Sequence, residues 1–259
     1  MSTSPCLSVF YVNDKFGNPL GKSIDERPTL SPYDPEYPDM CGRHCYLERL
    51  HSSHTDNLYE AYLLDNDSIW TYLPWGPYES KEEFAAACNS IMANPKYCMY
   101  TIISNISRRP VGNCAYLNIN IACKSIEVGS LIFSRYMKRS AISTEAMYMM
   151  MDAAFKSGFR RYEWKCNALN RPSISAAQRY GFSFEGLFRN FMVVRGCNRD
   201  TAWFSIIDED WPNIKSAFEQ WFDVSNFDTD GNQKVSLSQL TRPYVVAHFP
   251  SLNVVVTQL

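Results

Sequence analysis

One run of strand, helix and strand signals constrains the fold of this chain most, because its hydrophobic period changes twice. Residues 125–133, SIEVGSLIF, are rich in β-branched and apolar side chains and predict a strand. Residues 143–157 predict a helix whose cap is Ser143 or Thr144. Residues 160–166, RRYEWKC, predict a second strand directly after the helix. The run therefore predicts an α/β layer.

The loop between the first strand and the helix is short and contains small and basic residues, SRYMKRSAI (134–142). Such a junction directs several backbone N–H groups and the positive end of the helix dipole to one place, which suits a pyrophosphate. A plain strand-to-helix connection is the alternative, since the loop lacks glycine.

The remaining elements complete the layer. Ser80 and Glu83 form a capping-box pattern, and other helices are predicted after Thr55 or Asp56, from Asn170 to Gly181 and over 211–222. Further strands are predicted over 97–104, 110–122, 182–194 and 200–208. The first three strands along the chain, 97–104, 110–122 and 125–133, are expected to form an antiparallel meander. The predicted fold class is α/β (α+β), with a mixed, mostly antiparallel central sheet flanked by helices in a single domain.

Two extensions are predicted to flank this domain, which spans residues 51–222. Residues 1–50 contain four closely spaced prolines and predict an arm with a possible first strand near residues 8–12. Residues 223–259 predict a C-terminal extension, and the sequence leaves open whether it packs on the domain.

Composition excludes several classes of function. The chain has 259 residues, 46% of them hydrophobic, which excludes disorder as its main state. Its 25 basic and 27 acidic residues give a net charge of -2, so no nucleic-acid partner is expected. No apolar run is long enough to span a membrane, and the N-terminus lacks a secretory pattern. We therefore expect a cytoplasmic protein with no membrane partner.

The cysteines and histidines do not predict a metal site. Nine cysteines are scattered along the chain, which favours reduced thiols. The spacing of Cys41, His44, Cys45, His51 and His54 matches no standard zinc site. The segment DTDGNQKVSL resembles the start of a calcium loop but lacks the glutamate that closes one.

Four segments, taken in order, resemble the GNAT family of N-acetyltransferases, in the branch of ribosomal-protein N-terminal acetyltransferases. They are IEVG, KRSAISTEAM, RRYEWKCNALNRPSISAAQRYGFSFEG and GCNRDTAWFSIIDEDW. The resemblance implies that acetyl-CoA donates an acetyl group to a primary amine, on a small molecule or a peptide N-terminus, by direct attack in a ternary complex without a metal.

The resemblance also implies the residues that hold acetyl-CoA. The family signature R/Q-x-x-G-x-G/A corresponds to KRSAIS, in which Lys138, Ala141 and Ser143 occupy the defining positions. Both small positions remain small, although neither is glycine. The implied phosphate cradle comprises Lys138, Arg139, Ser140, Ala141, Ile142, Ser143 and Thr144. The pantetheine arm is expected beside Leu131, Ile132 and Phe133, with a hydrogen bond from Asn170.

Two catalytic residues are implied. Glu127, on the strand IEVG, is expected to take the proton of the attacking amine, or alternatively to face solvent. The tyrosine that protonates the thiolate in many members is replaced by Ala177, so Ser173 becomes the expected donor, with helix capping as its alternative. Backbone N–H groups near residues 130–133 are expected to bind the oxyanion.

Acceptor recognition is the least specified part of the sequence. Aromatic residues of IWTYLPWGPYES are expected to line the acceptor cleft, with a core role as the alternative; they are Trp70, Tyr72, Trp75 and Tyr78. The resemblance leaves a monomer and a homodimer equally open. A catalytically silent module that binds acyl-CoA or a peptide is the alternative to an enzyme.

Overall fold

The computed structural model describes residues 11–24, 29–65 and 67–251. Its centre is an eight-stranded sheet in the order β3-β4-β5-β6-β7-β8-β10-β9. The strands of this sheet are β3 (Met40–Cys41), β4 (Cys45–Arg49), β5 (Cys98–Ser104), β6 (Pro110–Asn120), β7 (Ser125–Phe133), β8 (Arg161–Asn167), β9 (Ser183–Val194) and β10 (Cys197–Ile207). All neighbouring strands are antiparallel except β7 and β8, which are parallel. The mixed, mostly antiparallel sheet and the β5–β7 meander are as predicted.

Six α-helices are found among the described residues. They are α1 (Thr55–Leu63), α2 (Lys81–Met92), α3 (Ala141–Lys156), α4 (Arg171–Arg179), α5 (Trp211–Phe222) and α6 (Leu237–Thr241). The Ser80 hydroxyl accepts a hydrogen bond from the Glu83 N–H (3.1 Å) and caps α2 as predicted. Asn170 caps α4, which contains a proline in its first turn.

The predicted cap of α3 is wrong by three or four residues. The helix begins at Ala141 with Ser140 in the capping position, rather than after Ser143 or Thr144. The Ser143 hydroxyl donates to the Ser140 carbonyl (2.9 Å), so this serine lies inside the first turn instead of preceding it.

The main core lies between one face of the sheet and helices α3 and α5. Tyr162 and Phe204 contribute from the sheet, and Met150 and Phe218 from the helices, all of them less than 2% exposed. A smaller apolar cluster packs under α1 and α2 on the opposite face, around Leu58. The second face of β7, β8 and β10 is polar.

Both extensions contact the domain where they are described. A short hairpin of β1 (Tyr11–Asn13) and β2 (Pro19–Gly21) precedes the sheet, and β3 and β4 form one sheet edge. The strand expected near residues 8–12 lies mostly outside the described residues. At the other end, α6 packs on α5 and buries Leu237 completely.

No helix among the described residues combines the length and apolar character needed to cross a membrane.

Candidate active site

The sheet opens between its two parallel strands. β7 and β8 pair over four positions, and this pairing ends at Val128 and Trp164. Both strands continue beyond that point on their outer partners, β7 with β6 as far as Phe133 and β8 with β10 as far as Asn167. The facing edges of β7 and β8 therefore offer backbone groups to an extended ligand.

A β-bulge lies on β7 beside this opening. Ala115 and Asn113 of β6 pair with Gly129 and Ile132, so the two residues between them on β7 oppose one residue on β6. The first of these, Ser130, has a φ of 51°, in the left-handed region. The Asn113 amide donates to the Ser130 carbonyl (2.9 Å). Because a trans peptide directs its C=O and N–H oppositely, the next N–H points away from Asn113.

The loop between β7 and α3 is anchored by one buried side chain, that of Met137. Met137 is completely buried, and a Cβ on Gly112 of β6 would lie 2.4 Å from its sulfur. The glycine therefore provides the space that lets the loop close over β6. At the end of the loop, Arg139 has a φ of 57°, which turns the chain into the helix.

The start of α3 is open to a ligand. Ser140 occupies the capping position, but its hydroxyl donates to the Met137 carbonyl (2.8 Å) and caps no helix N–H. The first turn contains no acidic residue, and two of its residues, Ala141 and Ser143, are small. An uncapped helix start attracts an anion through its free N–H groups and dipole.

Lys138 is engaged within this loop. Its ammonium group bonds to the Asp65 carboxylate (2.7 Å), which also accepts the Arg135 N–H (2.8 Å). Asp65 follows α1, so it fixes the position of the loop relative to that helix. A ligand phosphate would meet backbone N–H groups and a lysine whose charge is partly balanced.

Glu127 is buried, with only 6% of its surface exposed. Its Oε2 accepts hydrogen bonds from Lys165 Nζ (2.6 Å) and Asn118 Nδ2 (2.7 Å). Both bonds reach the same oxygen, which leaves Oε1 for a ligand or a water, and Oε1 lies 3.7 Å from the Cβ position of Gly129. The sequence alternative of a solvent-facing glutamate is therefore wrong.

Lys165 connects two carboxylates at this place. Its ammonium also bonds to Glu163 (2.8 Å) and lies 4.0 Å from the centre of the Trp203 ring. Burial lowers the pKa of Lys165, but the attraction and hydrogen bonds of Glu127 and Glu163 outweigh it and hold that pKa above its ordinary value. The lysine therefore remains charged at neutral pH.

Ser173 lies on the other side of the opening. Its hydroxyl oxygen accepts a hydrogen bond from the indole N–H of Trp164 (3.0 Å), the last residue of β8 that pairs with β7. A serine that accepts in this way retains its own proton for donation. Asn170 caps α4 by accepting the Ser173 N–H (3.2 Å), so it fixes the serine at the helix start.

The aromatic loop, residues 69–80, has one buried ring, that of Trp70, and three half-buried ones. Trp70 is 5% exposed and packs edge-on against Tyr62 and Tyr78, under α1 and α2. Tyr72 donates to the Leu169 carbonyl (3.1 Å), which ties this loop to the segment after β8. Trp75 and Tyr78 line a small apolar cavity of about 20 Å³, room for a single water.

Several residues of this site were missed by the sequence analysis. Lys165 and Asn118 hold Glu127, and Arg195 donates to the carbonyls of Trp70 and Thr71 (2.7 and 2.9 Å), fixing the aromatic loop. The signal for Lys165 was the alternation of charged residues in RRYEWKC, which indicates one polar face on that strand.

Comparisons with known proteins agree with this geometry. The family profile described as an acetyltransferase (GNAT) domain matches residues 44–183. A GCN5-related N-acetyltransferase from Brucella melitensis is 35% identical, with a TM-score of 0.79 over 84% of this chain and 99% of that one. No curated protein matches the chain in a sequence comparison.

Two more distant structures share the fold. The ribosomal L7/L12 α-N-protein acetyltransferase RimL is 20% identical, with a TM-score of 0.56 over 64% of this chain and 91% of that one. The microcin C7 self-immunity acetyltransferase MccE, solved with acetyl-CoA and AMP, is 19% identical, with a TM-score of 0.57 over 64% and 93%. Both structures show that the chain shares their fold, and the likeness to the ribosomal-protein branch stays a prediction. The matched domain and the Brucella relative together establish that the chain belongs to the GNAT family of acetyltransferases and is an acyltransferase.

Proposed function

We propose that the protein transfers an acetyl group from acetyl-CoA to a primary amine by direct attack within a ternary complex. The observation that supports this most is the placement of Glu127 and Ser173 on opposite sides of one opening in the sheet. One group is suited to remove a proton from an amine and the other to give a proton to a sulfur.

The residues around the opening fit acetyl-CoA. The uncapped start of α3 and the N–H groups of residues 138–144 suit the pyrophosphate, and the free edge of residues 131–133 suits the pantetheine arm. MccE, which has the same fold, is solved with acetyl-CoA, and this supports the same donor here. When bound, acetyl-CoA supplies an activated thioester.

Glu127 would act as the base. Its Oε2 is fixed by Lys165 and Asn118, so its Oε1 is oriented to accept a proton from the amine, directly or through water. The bulge on β7 would supply a donor to the acetyl carbonyl, because the Leu131 N–H points away from the Asn113 amide that holds Ser130. Ser173 would donate its proton to the departing sulfur.

Direct attack is favoured over an acyl-enzyme because the nearby thiol is a poor nucleophile. Burial raises the pKa of Cys166 to about 11, and contacts with Ser173 and Arg199 lower it only in part. At neutral pH this cysteine is therefore a thiol rather than a thiolate.

The experiment that tests the proposal compares Glu127→Gln with Glu163→Gln. Both carboxylates bond to Lys165, so the two variants disturb the same lysine. We expect Glu127→Gln to lower kcat by about 100-fold or more, with acetyl-CoA binding retained, and Glu163→Gln to keep most of the activity. Equal rates for Glu127→Gln and wild type across pH would refute the base assignment.

A further inference from the structure

β10 carries a row of buried polar atoms that have no partner among the described residues. They are Arg199 Nε, Thr201 Oγ1 and Trp203 Nε1, and they are three of the six such side-chain atoms in the described part of the chain. Buried polar groups without a partner are costly, and their concentration at one place indicates a site where a ligand completes the hydrogen bonds. We call these three residues the β10 donor row.

The β10 donor row faces the same side of the sheet as Glu127. Alternate residues of a strand share a face, and the Trp203 ring lies 4.0 Å from the Lys165 ammonium that also bonds to Glu127. Thr201 pairs with Phe188, whose ring stacks on Trp203 at 4.4 Å. The row therefore borders the surface from which an amine would reach Glu127.

Arg199 lies at the opening itself. Thr201 pairs with Asn167, the last residue of β8, so Arg199 lies beyond the end of that strand. It pairs with Met192 of β9 and has no partner on β8, and its charge interacts with that of Glu127 on β7. In the described part of the chain, Arg199 forms no ion pair with a carboxylate within 4 Å.

The surroundings of Arg199 leave its charge incompletely balanced. Burial lowers the pKa of Arg199, and the attraction of the Glu127 carboxylate offsets this only in part. Glu127 is itself bonded to Lys165, so it does not serve Arg199 as a direct partner. An anionic group of a ligand would supply the missing partner.

On the basis of the proposed N-acetyltransferase activity, we propose that Arg199 binds a carboxylate of the acceptor, so that the acceptors are amines that also carry a carboxylate, as amino acids do. The guanidinium fork matches a carboxylate in geometry. A carboxylate carries one negative charge, which a single guanidinium balances. A phosphate would bring a second negative charge close to the Glu127 carboxylate. Thr201 and Trp203 would donate to further acceptor oxygens.

The test measures kcat/KM, expressed per free amine, for amino acids and for the matching amino-acid amides, in which a neutral group of similar shape replaces the carboxylate. We expect the wild type to prefer the acids by at least about 10-fold. Arg199→Gln should lower kcat/KM for the acids at least about 10-fold more than for the amides and so remove this preference, and Arg199→Lys should keep part of it. Arg189→Gln, an exposed arginine on the neighbouring strand, is the matched control and should change neither value.

Binding of N-acetyl amino acids separates this inference from the proposed activity. Calorimetric titration in the presence of CoA should give at least about 10-fold tighter binding of the acid than of its amide, and Arg199→Gln should abolish the difference. Acetylation of acids and amides at equal rates would overturn the inference and leave the activity standing. Selective binding without acetylation of any amine would support the inference and remove the activity. A preference for phosphorylated amines over carboxylated ones would overturn the assignment of a carboxylate.

Discussion

Individual side chains in this site depend on partners that lie far away in the sequence. Lys165 and Glu127 are 38 residues apart and meet because β7 and β8 are neighbours in the sheet. Ser173 has a nearer partner, since it accepts the indole N–H of Trp164, which ends the pairing of β8 with β7. The chemistry of each residue is therefore set by its partner as much as by its own type.

Replacing Ser173 by alanine should separate catalysis from binding. We expect kcat to fall by about 10- to 100-fold, with little change in KM for acetyl-CoA, because the proton donor to the sulfur is lost. Ser175→Ala on the exposed face of the same helix is the control and should keep the wild-type rate. Measurement of CoA release under saturating substrates decides the matter, and an unchanged kcat in Ser173→Ala would show that another group donates the proton.

The roles proposed for Glu127 and Ser173 come from their resemblance to family positions, whereas the partners of these residues could not be predicted from the sequence. A lysine on a strand with alternating charges is expected to face a polar side, but the sequence does not say which carboxylate it meets. The sequence did not indicate Arg199 as a site residue. Its role is inferred from a buried Nε that has no partner within the described residues, and only the folded chain shows this.

At the scale of elements, a buried carboxylate ties the edge of the sheet to α3. Glu145 is 6% exposed, and it accepts the N–H groups of Arg43 (2.7 Å), His44 (2.6 Å) and Cys45 (2.9 Å) in the turn between β3 and β4. A Cβ on Gly42 would lie 2.4 Å from this carboxyl group, so glycine is required there. The helix that begins at the loop is thus held in place from its first turns.

Removal of this carboxylate should destabilise the fold. Glu145→Ala leaves three backbone N–H groups without their acceptor, and we expect the free energy of unfolding to fall by about 3 kcal/mol. Glu60→Ala removes an exposed carboxylate with two cationic partners and should cost much less, because water and salt screen such surface pairs. Urea unfolding of both variants measures the difference; equal losses would contradict a structural role for Glu145.

Element types were predictable where the period was regular, as in the β5–β7 meander and α4. The start of α3 was not, because two serines and a threonine offer equivalent caps and the tight loop around Met137 decides which one is used. β4 joins the sheet by pairing with β5, and the position of the turn before it depends on the Glu145 contacts, which connect positions about 100 residues apart.

Across the whole molecule, a network of charges holds β8, β9 and β10 together on their polar face. Arg161 bonds to Glu163 (2.6 Å) and to Glu185 on β9, and Glu163 also bonds to Lys165. Burial alone would raise the pKa of both glutamates. The bonds from Lys165 and Arg161 to Glu163, and from Arg161 and Ser205 to Glu185, outweigh it and hold both values below their ordinary range.

This network predicts a loss of stability in acid. Because the pKa values of Glu163 and Glu185 are lower in the folded than in the unfolded chain, their contribution is complete above their ordinary value of 4.5. It is lost as pH falls below 4.5 through the folded values. The free energy of unfolding, measured by urea titration at successive pH values, should fall more gently in the Glu163→Gln, Glu185→Gln double variant than in wild type. Parallel curves would exclude the network as a source of acid sensitivity.

The most direct test of acetyl transfer is the amine dependence of CoA release from acetyl-CoA by the protein. Direct transfer in a ternary complex predicts steady release that saturates with both acetyl-CoA and the amine, with no burst of CoA when the amine is left out. Binding of acetyl-CoA without release against any primary amine would contradict the account and identify a silent binding module. A burst equal to the protein concentration without amine would instead reveal an acyl-enzyme and contradict direct attack.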